Sequence, residues 1–315
     1  MVQQLANALV PVFFVMALGF YAGKKEIVDN KNLKSLIHFV MMFALPCSLF
    51  GAIAKTPKAV VLQHGSLILV LLVTYLLIYG IAFIQQRKVH GSDAAVSAVH
   101  ALTVAFPNCA SIGLPLLVGI FGSQSALAVA IGIAVGSMTI SPITLAILES
   151  STPAGRELPL SKRILRAIWK SVTKPVVLGP ALGVIVALSG LQVPDVATRS
   201  LVLIGQATAG AALFLTGLIL SAQPFKLNGN VLSGMGWKNV VQPLIAFGLV
   251  RLMGMPTTIA GEAVLLTAIP AGFFGLVFGA GYGHKPVASS STLIASSLLG
   301  IVSLAVWIIV LQGAH

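Results

Sequence analysis

The chain has 315 residues, of which 57% are hydrophobic and only 8% charged, and its mean hydropathy is +1.01. A soluble fold of this size cannot bury that much apolar surface, so a soluble enzyme or binding domain is excluded and a bilayer is the expected solvent. The formal net charge of +12 does not point to nucleic acid, because the basic residues fall in short gaps between apolar runs, where they act as topology signals.

A membrane-spanning helix takes roughly 20 residues, since the hydrocarbon core is about 30 Å thick and each residue rises about 1.5 Å. Apolar runs bounded by polar residues, Gly and Pro predict ten such spans, near 7–23, 33–54, 59–84, 94–121, 126–148, 175–191, 200–222, 236–254, 258–283 and 288–311. The first residues, MVQQLAN, lack the basic stretch of a signal peptide, so the first span is expected to be retained. Cys47 and Cys109 both fall within spans, which argues against a disulfide framework or a metal cage; no cofactor or metal is expected. The polar stretch 149–174 contains Arg156, Lys162, Arg163, Arg166, Lys170 and Lys174. It reads as a cytoplasmic linker between residues 1–148 and 175–315.

Most of the 19 Lys and Arg residues lie in the loops after odd-numbered spans, a count that places Lys226 and Lys238 together after the seventh. By the positive-inside rule those loops are cytoplasmic and both termini lie outside a bacterial-type inner membrane. Trp237 and Trp307 fall at span ends, where an amphipathic ring belongs.

An internal repeat is legible. Pro11-Val12 followed by Ala17-Leu18-Gly19 recurs as Pro175-Val176 followed by Ala181-Leu182-Gly183, so the first span matches the sixth. Pro107 in the fourth span and Pro270 in the ninth stand at nearly the same offset. Five spans are an odd number, so the second copy enters from the opposite side, which is the inverted repeat of many secondary transporters.

The fourth span reads Thr103-Val-Ala-Phe-Pro107-Asn108-Cys-Ala-Ser111-Ile-Gly113-Leu-Pro115, and the ninth Ala268-Ile-Pro270-Ala271-Gly272-Phe273-Phe274-Gly275. Proline removes a backbone donor and clashes with the carbonyl four residues back, so both spans should break near their middle. Broken backbone is tolerated at membrane depth only where protein or water satisfies it. Two equivalent breaks would therefore meet near the membrane centre, with the positive ends and amides of two half-helices aimed at one spot. An anion is the natural ligand there. No Lys or Arg lies at predicted mid-membrane depth, which leaves Asn108 and Ser111 as the obvious donors. The candidate substrate site comprises Pro107, Asn108, Cys109 and Ser111 with Pro270, Ala271, Gly272 and Phe273. Pro11, Pro142, Pro180 and Pro243 read as ordinary kinks.

The chain resembles the auxin efflux carriers, a family of plant exporters and bacterial members linked to malonate and other dicarboxylates. The resemblance rests on Pro107-Asn108, Gly113-Leu-Pro115-Leu-Leu and Phe121-Gly122, and on Pro270, Gly272, Val277-Phe278 and Pro286. Phe43-Ala-Leu-Pro46 with Phe50 agrees as well, as do Ala209-Gly210, Leu213-Phe214, Gly217-Leu218 and Gln223-Pro224. It spans nearly the whole chain. The resemblance implies an all-α polytopic membrane protein of bile-acid-transporter-like architecture: ten helices in two inverted five-helix repeats, with crossed, broken helices 4 and 9. It also implies a transport bundle moving against a scaffold of helices 1, 2, 6 and 7, often as a homodimer. Phe106 and Ala271 stand where some family members carry Asn and Gln, which makes this site less polar. The long hydrophilic loop of many plant members is absent.

His38 and His100 are the histidines well within spans, and either can accept a proton during transport because imidazole titrates near neutral pH. The competing reading is a structural hydrogen bond. Glu262, Asp93 and Glu149 read as interfacial charges or helix caps. Gln206 and Gln242 read as helix-to-helix hydrogen bonds, the Ser289–Thr292 run as small-residue packing, and Phe273 and Phe274 as core filling or as a wall for an apolar part of the substrate.

The expected function is secondary transport, by alternating access, of a small carboxylate such as malonate, malate or an auxin-like acid. One alternative is a sodium-coupled symporter of the bile-acid type, disfavoured because no carboxylate falls beside either break. Another is an intramembrane hydrolase, weak because no G-x-S-x-G string and no mid-span aspartate occurs. A membrane sensor is weaker still without an effector domain.

Overall fold

The computed structural model describes residues 2–152 and 159–313, and every regular element among them is a helix. In chain order these are α1 (Val2–Lys24), α2 (Lys34–Ile53), α3 (Lys58–Lys88), α4 (Ala94–Ala105), α5 (Cys109–Phe121), α6 (Ser123–Ser151), α7 (Leu160–Val172), α8 (Pro175–Ser189), α9 (Asp195–Ala222), α10 (229–252), α11 (Thr257–Ala268), α12 (Phe274–Gly281) and α13 (Val287–Gly313). Six of them, α1, α2, α3, α6, α9 and α13, are long and apolar enough to cross a membrane, while α4, α5, α8 and α11 are shorter apolar helices. The protein is polytopic. Residues 153–158 of the predicted linker, Arg156 included, lie outside the described residues.

Local sequence accounts for several boundaries. Asp93 caps α4, its carboxylate accepting from the Val96 amide at 2.7 Å, and Asn228 caps α10 by accepting from Val231 at 3.0 Å. This second cap starts α10 at Gly229, two turns earlier than the apolar run predicts, and carries Lys238 well inside the helix. Within α2, α5 and α10 the backbone loosens into one π-turn each, at Phe39–Ala44, Cys109–Gly113 and Trp237–Val241. Such turns insert an extra residue and often mark functional positions.

The helices sort into two packed groups. In one, α1 lies along α9 and α2 lies along α8 and the start of α9. Glycine makes the first of these contacts possible: a Cβ on Gly19 would collide with the Phe214 carbonyl, and one on Gly217 with that of Met16. Without side chains there, the backbones touch, as small residues allow between membrane helices. In the other group, α4 packs on α3, α6, α12 and α13, and α10 packs on α11 and α13. Between the two runs α5, which contacts α9 and α1 on one side and α6 on the other. The amphipathic helix α7 lies against the second half of α6, where Arg166 meets Glu149 at 3.3 Å.

Both span-end tryptophans have partners inside the protein. Trp237 donates to Gln85 Oε1 at 2.7 Å, and Trp307 is buried against Phe247 with ring centroids 5.7 Å apart.

Candidate functional site

The two proline breaks meet. Residues 106–108 separate α4 from α5, residues 269–273 separate α11 from α12, and Pro107 and Ala271 form an antiparallel bridge. The Asn108 amide donates to the Pro270 carbonyl at 3.0 Å, and the Gly272 amide donates to the Thr103 carbonyl at 3.2 Å. Two interrupted helices thus satisfy part of each other's freed backbone, as the absence of water at that depth demands. Gly272 has no substitute in this geometry, because a Cβ would drive into the Phe106 carbonyl.

The amide ends are less free than the sequence suggests. Asn108 and Gly272 spend their N–H groups on the crossing itself, and Ala271 donates to Ser296 Oγ at 2.9 Å. Side chains supply the unmatched groups instead. Asn108 and Ser111 are buried, and Asn108 Oδ1 and Ser111 Oγ have no hydrogen-bond partner among the described residues. Buried polar atoms without partners are costly, and two of those among the described residues stand on adjacent turns beside the crossing. Asn108 Nδ2 donates to Thr216 Oγ1 on α9 at 3.3 Å, and that hydroxyl donates to the Ala212 carbonyl at 2.9 Å. A hydroxyl both donates and accepts, so the Asn108 amide can turn either its oxygen or its NH2 toward a ligand and keep Thr216 as partner.

The second break is saturated by comparison. Ser296 Oγ, which receives the Ala271 N–H, donates to Asn239 Oδ1 at 2.6 Å, and Asn239 Nδ2 donates to the Ser296 carbonyl at 3.0 Å and to Ser303 Oγ at 3.2 Å. Pro270 packs against Gly300, where a Cβ would overlap its ring.

Sequence reasoning missed a buried base. Lys238, counted with the preceding loop although it stands at the predicted edge of its span, is fully buried in the π-turn of α10. Its Nζ donates to Gln242 Oε1 at 2.6 Å and to the Thr267 carbonyl at 2.9 Å, while Gln242 Nε2 donates to the Ala105 carbonyl at 2.9 Å. Thr267 and Ala105 are the last turns of α11 and α4, so Lys238 and Gln242 together satisfy the negative ends of both half-helices that enter the crossing. The expectation that no Lys or Arg stands near the crossing is therefore corrected: the helix begins at the Asn228 cap, which places Lys238 well inside it. Gln242, expected as a helix-to-helix hydrogen bond, makes one.

The remaining candidates disperse. Cys109 turns its Sγ toward Tyr75 Oη, 3.8 Å away, and toward Gly132, on the side away from α9. Phe273 is buried and stacks on Phe274 at 5.2 Å, and Phe274 stacks on Phe106 at 5.1 Å, an aromatic column that fills core space beside the break. His38 is exposed on α2, away from the crossing. His100 is buried two turns before Pro107, with Nδ1 3.4 Å from Ser289 Oγ. Glu262, read as interfacial, is instead buried and paired with His64 at 3.2 Å, an arrangement that offsets the cost of taking a carboxylate out of water. Cys47 and Cys109 are free thiols.

A family profile described as membrane transport protein, that of the auxin efflux carriers, matches residues 5–308. The chain is similar to the uncharacterized transporter YfdV of Escherichia coli (strain K12), 28% identical over 309 residues that cover 96% of each chain. It is also similar to auxin efflux carrier component 8 of Arabidopsis thaliana, 20% identical with 95% of each chain covered. A probable auxin efflux carrier component 1b of Oryza sativa subsp. japonica is 27% identical over 45% of this chain and 27% of its own length. The chain belongs to the auxin efflux carrier family and is a membrane transporter.

Proposed function

With family membership as the premise, we propose that this transporter carries a small organic anion by alternating access, with the substrate held at the crossing against Asn108, Ser111 and Thr216. The observation that carries the reading is the pair of unpartnered buried atoms, Asn108 Oδ1 and Ser111 Oγ, set where α5 faces α9 of the neighbouring helix group. Lys238 supports an anion over a cation, since any positive charge its buried amine carries is weakly screened in a dry interior. The apolar surroundings, Phe106 and Ala271, suit a short carboxylate such as malonate or malate, or an auxin-like acid, whose few polar atoms need few partners.

In this reading the chain makes ten spans in two inverted repeats, residues 1–148 and 175–315, with both termini outside. The group α1, α2, α8 and α9 is the scaffold, and the crossing moves with α3, α4, α6 and α10–α13. Sodium coupling is disfavoured, because no carboxylate falls beside either break and Lys238 Nζ already sits between two of the hard oxygens there, Gln242 Oε1 and the Thr267 carbonyl.

The test is flux of radiolabelled malonate, malate and indole-3-acetate into proteoliposomes with and without sodium. Asn108→Ala and Pro270→Ala are expected to abolish flux in folded protein, and full retention of transport by both would remove the crossing from the mechanism.

A further inference from the structure

A cavity of about 470 Å³ opens between the two helix groups, lined among others by Ser48, Lys55, Thr56, Gln124 and Gln206. A second space of about 280 Å³ shares Ser48, Ala52, Ser123, Gly205 and Gln206 with it and reaches Leu114 and Pro115, the turn of α5 that follows Ser111. The two form one continuous recess, within the range of about 300–1,000 Å³ typical of small-molecule sites. It lies at the Ser123 end of α6, whereas α7 packs near the Ser151 end, so the recess and the basic helix occupy opposite faces of the molecule. Lys55 is the one charged side chain on its walls.

A second observation links the recess to the crossing. Ala209, on the wall of the second space, stands seven residues before Thr216 on α9, two helical turns and about 10 Å along the axis, so the two share one face of the helix. That face therefore runs from the recess to the hydroxyl that meets the Asn108 amide.

We propose that this recess is the port through which the anion reaches the crossing from the face opposite α7, with Lys55 as the residue that draws it in and the Ala209–Thr216 face of α9 as the wall it follows from port to site. The proposal rests on the anion reading for its ligand class. Its geometry requires that α2 and α9, which form one wall, part from α5 and α6, which form the other. A lone cation in an apolar-walled cleft raises the local concentration of anions and their rate of entry, an effect that salt suppresses.

A test of the port that needs no knowledge of the substrate uses full-length protein in liposomes, with Ala209→Cys in a Cys47→Ser background and that parent as the control for Cys109. Anionic sulfonatoethyl and cationic trimethylammonioethyl methanethiosulfonates are added to each side in turn. Modification of residue 209 is expected from the Lys55 face, several-fold faster with the anionic reagent, with the preference lost in Lys55→Gln and reduced in high salt. No modification from that face, or a charge preference that survives Lys55→Gln, overturns the port. In parallel, Lys55→Gln should raise the half-saturating malonate concentration several-fold for substrate added on that face and leave the opposite face unchanged. If the wild type moves none of the organic anions tried, the anion reading falls, and the thiol measurement still decides the port.

Discussion

The two breaks that form the crossing are built from the same device and finished differently. At residues 270–272 each backbone donor has a fixed protein partner, Ser296 for Ala271 and Thr103 for Gly272, and Ser296 is itself held by Asn239. At residues 107–111 the side-chain oxygen of Asn108 and the hydroxyl of Ser111 are left over, and Asn108's one side-chain partner, Thr216, belongs to the neighbouring helix group. One break is a finished joint and the other an open one. The two prolines place the pair, and in the proposed reading the neighbouring side chains decide which member faces the anion.

The largest effect is expected at the residue both breaks share. Lys238→Ala leaves Gln242 Oε1 and the Thr267 carbonyl without their donor, at about 1–3 kcal/mol for each orphaned group, and should abolish flux as well. Lys238→Met, of similar length, refills the space but leaves the same two acceptors without a donor, so it should recover only the packing part of the lost stability and none of the transport. A Met variant that transports normally would show that the amine serves packing alone.

The sharpest contrast lies between Ser296→Ala and Asn108→Ala. The first strips a partner from the buried Ala271 amide and from Asn239, costing about 1–3 kcal/mol in unfolding measurements, while flux per folded molecule stays near normal. The second removes one long hydrogen bond, about 0.5–1.5 kcal/mol, and should lower flux at least tenfold. Reversal of that pattern would exchange the roles assigned to the two breaks. A smaller, few-fold rise in half-saturating concentration is expected for Thr216→Val, with Thr216→Ser close to wild type. The smallest effect is at Asp93, far from either break: Asp93→Ala should cost about 1 kcal/mol of stability through the lost cap and leave transport kinetics unchanged.

The apolar runs and the two prolines were legible because hydropathy and backbone stereochemistry act locally, and the helices α4, α5, α11 and α12 end where Pro107 and Pro270 require. Lys238 was not legible. A lysine at the predicted edge of an apolar run reads as interfacial, and its true depth depends on the Asn228 cap, one polar residue in a segment that hydropathy discards. Glu262 escaped for a related reason, since its burial depends on His64, 198 positions away. Thr216 and Ser296 look like small membrane residues suited to packing, and only the three-dimensional neighbourhood distinguishes a hydroxyl that meets Asn108 from one that meets its own helix. The amide ends, prominent in the sequence argument, turned out to be largely engaged by the crossing.

The glycine-mediated contact of α1 with α9 also fixes where displacement can be measured. Because Gly19 and Gly217 bring main chain against main chain, those two helices cannot shift past one another without steric overlap, and they form a stationary ruler inside the molecule. Spectroscopic probe pairs confined to that ruler should read one constant separation under all conditions. Pairs that join it to α5 should report the stroke length of the working cycle directly.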